Sequence, residues 1–246
     1  MVDRTDVLLI CGGLYHDIDF ARLKLLEMLG QHPGVRTRVA EDYANVDALG
    51  QAKALVTYTT DVIPTDEQRI ALQSFLDRGG RWFALHGTNS VIQIDEKGYA
   101  SSPRTAPQFM EMLGSQFIAH PPKGPFAVHN AQPEHPLVEG IDTFEVDDEL
   151  YLVEEHGALD VLLYSQFNGK AMGGFTEREF FSDEPRPIMY IKRHDPGAVL
   201  YLNLGHCRSH WDMQPLMDWY PDIERCSWDS DVFITLVERS LRWALA

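Results

Sequence analysis

The sequence predicts an α/β protein built on a doubly wound, mostly parallel β-sheet flanked by helices. Residues 7–11 form an uninterrupted apolar run closed by two glycines, which is typical of a strand buried on both faces. Residues 20–29 then place apolar side chains at helical spacing, and Gly30 is positioned to end that helix. The alternation of strand and helix continues through the first 90 residues, and it favours parallel strands joined by crossover helices.

The next elements continue this alternation. Three further strands are predicted at residues 35–40, 54–58 and 81–85. Thr65 and Gln68 have the spacing of a capping box, so we expect a helix over residues 66–78. Two glycines follow that helix and predict its end before the strand at residues 81–85.

Beyond residue 90 the pattern changes to loops and short strands. Residues 91–107 are polar and rich in turn-forming residues, and a short helix is expected at residues 109–113. Four further strands are predicted at residues 126–129, 161–164, 188–192 and 198–203. A hairpin turn at residues 195–197 would join the last two and give the sheet an antiparallel extension late in the chain. An amphipathic helix over residues 229–246 closes what we expect to be a single domain spanning residues 1–246.

The composition argues against several classes of partner. The 246 residues include 21 basic and 37 acidic ones, which gives a formal net charge of −16 with no basic block for nucleic acid or an anionic membrane. No apolar run approaches the roughly 18 residues of a membrane span, and the first one is too short for a signal peptide. Three cysteines without CxxC spacing argue against a disulfide framework. We therefore expect a cytoplasmic protein with a small-molecule partner, and we leave homo-oligomer formation open.

Three histidines follow the carboxyl ends of predicted strands, where ligands bind in open α/β sheets. His16 comes after the first strand, His86 after the fourth and His206 after the last. His86 precedes Gly87 at a sharp turn, so it is either a general acid/base or metal ligand, or a turn histidine satisfied by backbone groups. His206 and His210 are four residues apart, and a metal-binding helix carrying both is an alternative interpretation.

Further candidates have roles that the sequence leaves open. Glu149 stands in an acidic run and is either part of a solvated turn or a buried general acid/base with a raised pKa. His120 precedes a proline and either contributes to the site or only shapes a turn. Cys11 and Cys207 are expected to be small buried residues rather than nucleophiles. The GxGxxG, GxxxxGK[ST] and HExxH motifs are absent, so dinucleotide, nucleoside-triphosphate and zincin chemistry have no support.

Several short motifs, taken together in their order and spacing, resemble the trehalose-utilisation (ThuA-like) family. The resemblance covers nearly the whole chain. The motifs are Gly12-Gly13 with His16-Asp17, Leu85-His86-Gly87, Phe117 with His120-Pro121, His135-Pro136-Leu137 with Gly140-Ile141, Asp148-Glu149-Leu150-Tyr151, Leu204-Gly205-His206 and Arg242-Trp243-Ala244.

The resemblance implies a flavodoxin-like fold related to the class I glutamine amidotransferases. In those enzymes a nucleophilic cysteine occupies a sharp elbow, and by similarity that elbow here is His86, so glutamine amidotransferase activity is not expected. The resemblance further implies a role in carbohydrate metabolism, and a metal such as zinc in some members. Carried over residue by residue, it gives His86, His120, Glu149 and His206 as catalytic candidates, with His16 at the rim.

The leading hypothesis is a hydrolase or lyase of carbohydrate metabolism that acts on a disaccharide or keto-sugar by acid/base chemistry, with or without a divalent metal. Its metal ligands would be His86, His120 and His206. Its substrate-binding residues would be His16, Tyr15, Asn89, Tyr151 and Trp211, whose aromatic members could stack on sugar rings. One rival is a non-catalytic binding or regulatory module that lacks the nucleophile. The other is a cysteine hydrolase that uses Cys11 or Cys207.

Overall fold

A nine-stranded mixed sheet runs through the middle of the molecule in the computed structural model, which describes residues 4–246. Along that part of the chain, the elements are β1 (Thr5–Gly13), α1 (Ile18–Leu29), β2 (Val35–Ala40), α2 (Val46–Gln51), β3 (Ala54–Thr60), α3 (Asp66–Asp77), β4 (Arg81–Leu85), β5 (Gln93–Ile94), β6 (Ala100–Ser101), α4 (Pro107–Leu113), β7 (Ser115–Ala119), β8 (Gly124–Asn130), β9 (Phe144–Asp148), β10 (Leu152–Glu155), β11 (Asp160–Ser165), β12 (Gly169–Lys170), β13 (Glu179–Phe180), β14 (Arg186–Arg193), β15 (Ala198–Leu202) and α5 (Asp231–Leu245). Short 3-10 turns lie at His86–Asn89 and Cys226–Asp229.

The strand order of the sheet is β2-β1-β3-β4-β15-β14-β11-β8-β9. The first five strands are parallel, and with β15 counted as the fifth their order is the 2-1-3-4-5 arrangement of flavodoxin-like folds. The last four strands extend the sheet with antiparallel pairings. The predicted fold class, including the late antiparallel extension, is therefore confirmed.

Both faces of the sheet are buried, as the apolar run in β1 predicts. Val7 and Leu9 pack into the apolar cluster that also contains residues of α1 and α5. Leu8 and Ile10 point the opposite way, into a second cluster formed with α2, α3 and α4. Alternate strand residues thus enter two cores on opposite sides of the sheet. Within residues 4–246, no helix is long and apolar enough to cross a membrane.

Several element boundaries differ from those expected. Helix α1 begins at Ile18 because the Asp17 side chain accepts a hydrogen bond from the Phe20 amide at 3.1 Å and caps the helix. Helix α5 begins at Asp231, after Ser230, whose hydroxyl caps it in the same way. Helix α2 and the strands β7, β9 and β10 were not expected, since each is too short to show a clear hydrophobic period.

The chain turns sharply where β4 ends. His86 has a left-handed backbone, with φ of 44°, a conformation that costs a non-glycine residue roughly 1–2 kcal/mol. Gly87 follows where no side chain fits, because a Cβ there would lie 2.2 Å from Thr60 Oγ1 and 2.7 Å from the Thr59 carbonyl oxygen. Strain of this kind concentrates at functional sites, and here it aims the His86 side chain at the carboxyl edge of the sheet.

Replacing Gly87 by alanine should lower the free energy of unfolding by about 1–3 kcal/mol, because the added methyl group overlaps the backbone and side chain of β3. Gly50→Ala is the matched control. A Cβ at Gly50 meets no atom within 4 Å, and the residue lies in α2, so alanine should raise stability by up to about 1 kcal/mol. Urea denaturation of both variants checks this, and equal stability of the two would contradict the tight turn.

Candidate functional site

The carboxyl edge of the sheet brings four buried side chains together. His16 follows β1, His86 follows β4 and His206 follows β15, while Glu149 follows β9 from the antiparallel side. One potential metal-ligating atom from each residue lies within 4.8 Å of the others. We call these four residues the histidine–glutamate cluster.

The His86 ring is fixed by its outer nitrogen, the one that points away from the cluster. Nδ1 lies 2.7 Å from the carbonyl oxygen of Asn203, and since a carbonyl only accepts, Nδ1 carries the hydrogen. The neutral ring therefore presents an unprotonated Nε2 to the cluster. Tyr151 packs against the same ring, with 4.1 Å between ring centroids.

The His16 ring is held in the same manner and faces His86. Its Nδ1 lies 3.2 Å from the Leu14 carbonyl oxygen and 2.9 Å from the Thr60 hydroxyl, so Nδ1 is the donor and Nε2 is bare. The two Nε2 atoms of His16 and His86 are only 3.0 Å apart. Two lone pairs at this distance repel unless a proton or a cation lies between them.

His206 faces the cluster with Nδ1, whereas His16 and His86 face it with Nε2. Its Nε2 lies 2.9 Å from Glu224 Oε2, which leaves Nδ1 facing inward. That Nδ1 is 3.1 Å from Glu149 Oε2, but the geometry is not that of a hydrogen bond and the atom is buried without a partner. All three imidazoles thus anchor an outer nitrogen on the scaffold and direct an inner nitrogen at the same point.

Burial and neighbouring charges divide the histidines into two kinds. Burial lowers the pKa of His86 to about 3, with positive His206 adding to the effect, and it holds the pKa of His16 well below its usual value. Burial would also lower the pKa of His206, but the carboxylates of Glu149 and Glu224 together outweigh it and raise that pKa to about 9. At neutral pH, His16 and His86 are neutral and His206 carries a proton.

Glu149 is a buried carboxylate held in its charged form. Burial would raise its pKa, yet His120, His206 and Arg208 outweigh burial and hold the pKa well below the usual range. The nearest guanidinium nitrogen of Arg208 is 3.5 Å from Glu149 Oε1. Glu149 is therefore buried, as one of the two alternatives has it, but its pKa is lowered rather than raised, because positive groups surround the carboxylate.

The neighbouring Asp148 ties two site loops together. Its carboxylate accepts hydrogen bonds from the amides of Glu149, Gly205 and His206 at 2.7, 2.9 and 3.2 Å, and from the Ser227 hydroxyl. These bonds join the segment that carries Glu149 to the segment that carries His206. Burial raises the pKa of Asp148 to about 7.

Arg208 and Glu224 are site residues that sequence reasoning missed. Arg208 Nη1 lies 3.2 Å from Glu224 Oε2, the oxygen that anchors His206, so the pair links the cluster to the loop before Cys226. Arg208 stands close to His206 in the sequence and could have been suspected. Glu224 lies in a turn-rich segment without a motif, and only the folded chain brings it to His206.

A cavity of about 410 Å³ opens beside the cluster. Five of the predicted site residues line it: Tyr15, His16, His120, Glu149 and Tyr151. Arg208 and Glu224 border it as well. The predicted catalytic residues His86 and His206 do not line the cavity themselves, and they are joined to it through their cluster partners His16 and Glu149.

Asn89 and Trp211 lie outside both the cavity lining and the histidine–glutamate cluster. Asn89 is buried behind the β4 turn, where its amide donates to the Ser115 hydroxyl at 2.8 Å. Trp211 is 61% exposed and packs edge-on against Trp219. Asn89 was predicted from its place after a strand end and Trp211 as a stacking surface for a sugar ring, and the turns after those strands point both away from the cavity.

Three other histidine assignments also change. His16, expected at the rim, is 4% exposed and belongs to the cluster. His120 Nε2 lies 3.8 Å from Glu149 Oε1 but outside the four-residue group. His210 shares no helix with His206, since the chain there forms turns and the His210 ring stacks on Trp219 instead.

The cysteines at the strand ends are unsuited to nucleophilic attack. Cys11 and Cys207 are buried and unpaired, and burial raises the pKa of both thiols to about 12. A thiolate, the reactive form, is therefore disfavoured at neutral pH. The cysteine-hydrolase hypothesis loses its chemical basis.

Fold and site together define a flavodoxin-like α/β protein in which an imidazole occupies the elbow and joins a buried histidine–carboxylate cluster. Residues 6–220 match the ThuA family model, described as trehalose utilisation. The chain belongs to the ThuA family. No curated protein sequence matches it.

Solved structures of low sequence identity share the fold. A ThuA-like protein from Bacteroides uniformis has a TM-score of 0.66 at 18% identity, covering 99% of this chain and 92% of that one. A ThuA-like protein from Parabacteroides merdae has a TM-score of 0.70 at 14% identity, covering 99% and 91%. The β-galactosidase from Rahnella sp. R3 has a TM-score of 0.56 at 10% identity and covers all 100% of this chain but only 31% of its own.

Asp148→Asn should lower the free energy of unfolding by about 1–3 kcal/mol, because an amide nitrogen in place of one carboxylate oxygen leaves buried donors without an acceptor. Asp147→Asn is the matched control, since this neighbouring carboxylate is exposed and pairs only loosely with Lys123 at 3.5 Å. Thermal unfolding of both variants measures the difference. If the two variants melted alike, Asp148 would not be the tie between the two loops.

Proposed function

We propose that this protein is a divalent-metal-dependent enzyme of carbohydrate metabolism, a hydrolase or lyase that uses acid/base chemistry on a disaccharide or keto-sugar. The observation that carries the proposal is the convergence of three anchored imidazoles and one carboxylate beside a cavity. Membership of the trehalose-utilisation family supports the sugar-related role. The unpaired cysteines fit a reducing compartment, so we propose that it acts in the cytoplasm.

The donor atoms of the cluster fit a transition ion such as zinc. Imidazole nitrogens and a carboxylate oxygen are ligands that zinc accepts, and His16, His86, Glu149 and His206 would hold the ion. Each imidazole gives its outer N–H to an oxygen acceptor, the arrangement that orients ligating histidines. The facing Nε2 atoms of His16 and His86, 3.0 Å apart with no hydrogen on either, are relieved by such an ion, and so is the unpartnered Nδ1 of His206 once it has lost its proton. When bound, it would supply Lewis-acid polarisation of a substrate oxygen.

His120 is the imidazole that remains for proton transfer. Its Nδ1 lies 2.7 Å from the Pro121 carbonyl oxygen and is the donor, which leaves Nε2 for proton exchange with a ligand. The residue lines the cavity, where Nε2 can take a proton from a bound ligand and return it. We therefore assign His120 the role of general acid/base rather than that of a metal ligand.

Tyr151 complements His120 as a hydrogen-bond donor. Burial raises the pKa of its phenol well above the usual value, so the hydroxyl stays protonated. That oxygen lies 3.3 Å from His16 Nε2 and borders the cavity. It can donate to an oxygen of a ligand held at the cluster.

The direct test is turnover by zinc-loaded protein on disaccharides, on simple glycosides and on the 3-keto derivatives of both, with His120→Gln as the diagnostic variant. We expect cleavage that His120→Gln abolishes while zinc is retained. His129→Gln, at a half-buried histidine on β8 that is absent from the cavity lining, should change neither property. Binding of these sugars without turnover above background would overturn the enzyme proposal in favour of a binding module.

Zinc stoichiometry tests the ligand set separately from activity. Dialysed protein should hold about one zinc per chain, as expected for a single four-donor site. His86→Ala and His206→Ala should weaken zinc binding by more than the roughly 10- to 100-fold typical of losing an outer-shell partner. His120→Gln should keep full occupancy, measured by elemental analysis. Equal zinc loss in His120→Gln and His86→Ala would contradict the assignment.

Zinc binding should also release about one proton per ion at pH 7, because protonated His206 must become neutral before it can bind metal. His16 and His86 should release none, since burial keeps them neutral. Apparent affinity should rise about tenfold per pH unit and level off near the His206 pKa of about 9. Titration calorimetry in buffers of different ionisation enthalpy counts the protons.

Glu224→Gln is the control for this proton count. It removes one of the carboxylates that raise the pKa of His206, so fewer protons should be released at pH 7. The anchoring oxygen is retained in glutamine, which keeps the ring orientation. Release of no proton by the unaltered protein would contradict the assignment of a charged His206.

A further inference from the structure

The cavity lining combines two chemically different groups of side chains. His16, His120, Glu149, Arg208 and Glu224 are polar or charged. A second group, which we call the apolar end, consists of carbon-rich side chains from β7, the β5–β6 hairpin with the residue before it, the loop after β12 and the segment after His210. Its main members are Ile92, Ile94, Phe117, Met172, Phe175 and Leu216.

The apolar end is continuous with the cluster through a wall of rings. Tyr151 packs on His86 with 4.1 Å between ring centroids, and Phe117 packs on Tyr151 at 4.3 Å. Phe175 follows at 5.8 Å from Phe117. A ligand bound at the cluster therefore meets this wall as soon as it extends into the cavity.

Backbone hydrogen bonds hold the apolar end in place. The Ala100 amide donates to the Gly174 carbonyl at 2.7 Å, and the Thr176 amide donates to the Ala100 carbonyl at 2.9 Å. The Met172 amide donates to the His120 carbonyl at 3.0 Å. These bonds fix the loop after β12 to both β6 and the end of β7, so little ordering is needed when a ligand binds.

A second sugar ring suits this end poorly. Each hydroxyl that leaves water without gaining a partner weakens binding, and aliphatic side chains such as Ile92, Ile94 and Leu216 offer none. An aryl or alkyl group, in contrast, gains by losing contact with water there. Pockets of this kind commonly combine a few polar groups at one end with an apolar wall.

We infer that the substrate is amphiphilic, a glycoside or keto-glycoside of an apolar phenol or alcohol whose oxygen-bearing sugar part lies at the cluster and whose apolar group fills the apolar end. This inference rests on the proposed function for the sugar part. Within the substrates of that proposal, it favours a glycoside that carries an apolar group over a disaccharide, which carries a second sugar at the same position. The apolar end itself can be tested without knowing the sugar.

Acetohydroxamate and benzohydroxamate are suitable probes, because they share a metal-binding head and differ in a methyl against a phenyl group. Titration calorimetry should show benzohydroxamate binding at least tenfold more tightly, equivalent to about 1.4 kcal/mol. The preference should persist in metal-free protein, where both bind more weakly. Equal affinity of the two probes, or no benzohydroxamate binding in either state, would overturn the inference.

Two neighbouring residues provide a matched pair of variants. Leu216 lines the cavity, whereas Met217 does not, and they are 47% and 44% exposed, so neither change to glutamine should unfold the protein. Leu216→Gln should reduce the preference for the phenyl probe, while Met217→Gln should leave it unchanged. Equal effects of the two variants would overturn the inference. If zinc did not increase the affinity for either hydroxamate while the preference for the phenyl probe remained, only the metal proposal would be refuted.

Discussion

The anchoring of three imidazole rings by oxygen acceptors on the scaffold is the interaction on which the site depends. His86 is tied to the Asn203 carbonyl, His16 to the Leu14 carbonyl and His206 to Glu224. Each bond selects a tautomer or ring orientation, and each leaves the inner nitrogen facing the same point. Burial reinforces this for His16 and His86, because it keeps them neutral. Donor convergence is therefore built into the apo fold.

The antiparallel half of the sheet supplies the carboxylate of the cluster, which the parallel half lacks. The strand ends of the parallel half contribute only imidazoles to the cluster, and the carboxylate of Glu149 comes from the end of β9. A buried carboxylate is costly unless it is compensated, and Arg208, His206 and His120 provide that compensation. Asp148 then fastens the two halves through amides on both segments. The late extension of the fold is thus a structural part of the cluster.

The strand-end rule predicted the three cluster histidines from sequence because it depends only on strand order and direction. The same reasoning could not show that His16 belongs to the cluster and His120 lies outside it. Membership depends on distances between donor atoms, which are set by loop paths and side-chain rotamers. Glu224 was missed for a related reason: its turn-rich segment has no periodicity, and its role arises from a contact made across the fold. Asn89 shows the converse, because proximity in sequence to His86 did not give it the same orientation. The helices and strands are encoded by local sequence, whereas the contacts that surround the cluster, such as that of Glu224, are not.

The elbow after β4 shows how one backbone device can serve a different chemistry. A strained turn exposes a side chain at the sheet edge whatever that side chain is, and Gly87 makes room for it. With a thiol at the elbow, the geometry would favour nucleophilic attack, whereas an imidazole with its outer nitrogen bound to a carbonyl offers one fixed lone pair. The cysteines that the chain does carry at strand ends are buried with a raised pKa. The left-handed conformation of His86 therefore holds its imidazole in the cluster, and its strain is compensated by the packing around that ring.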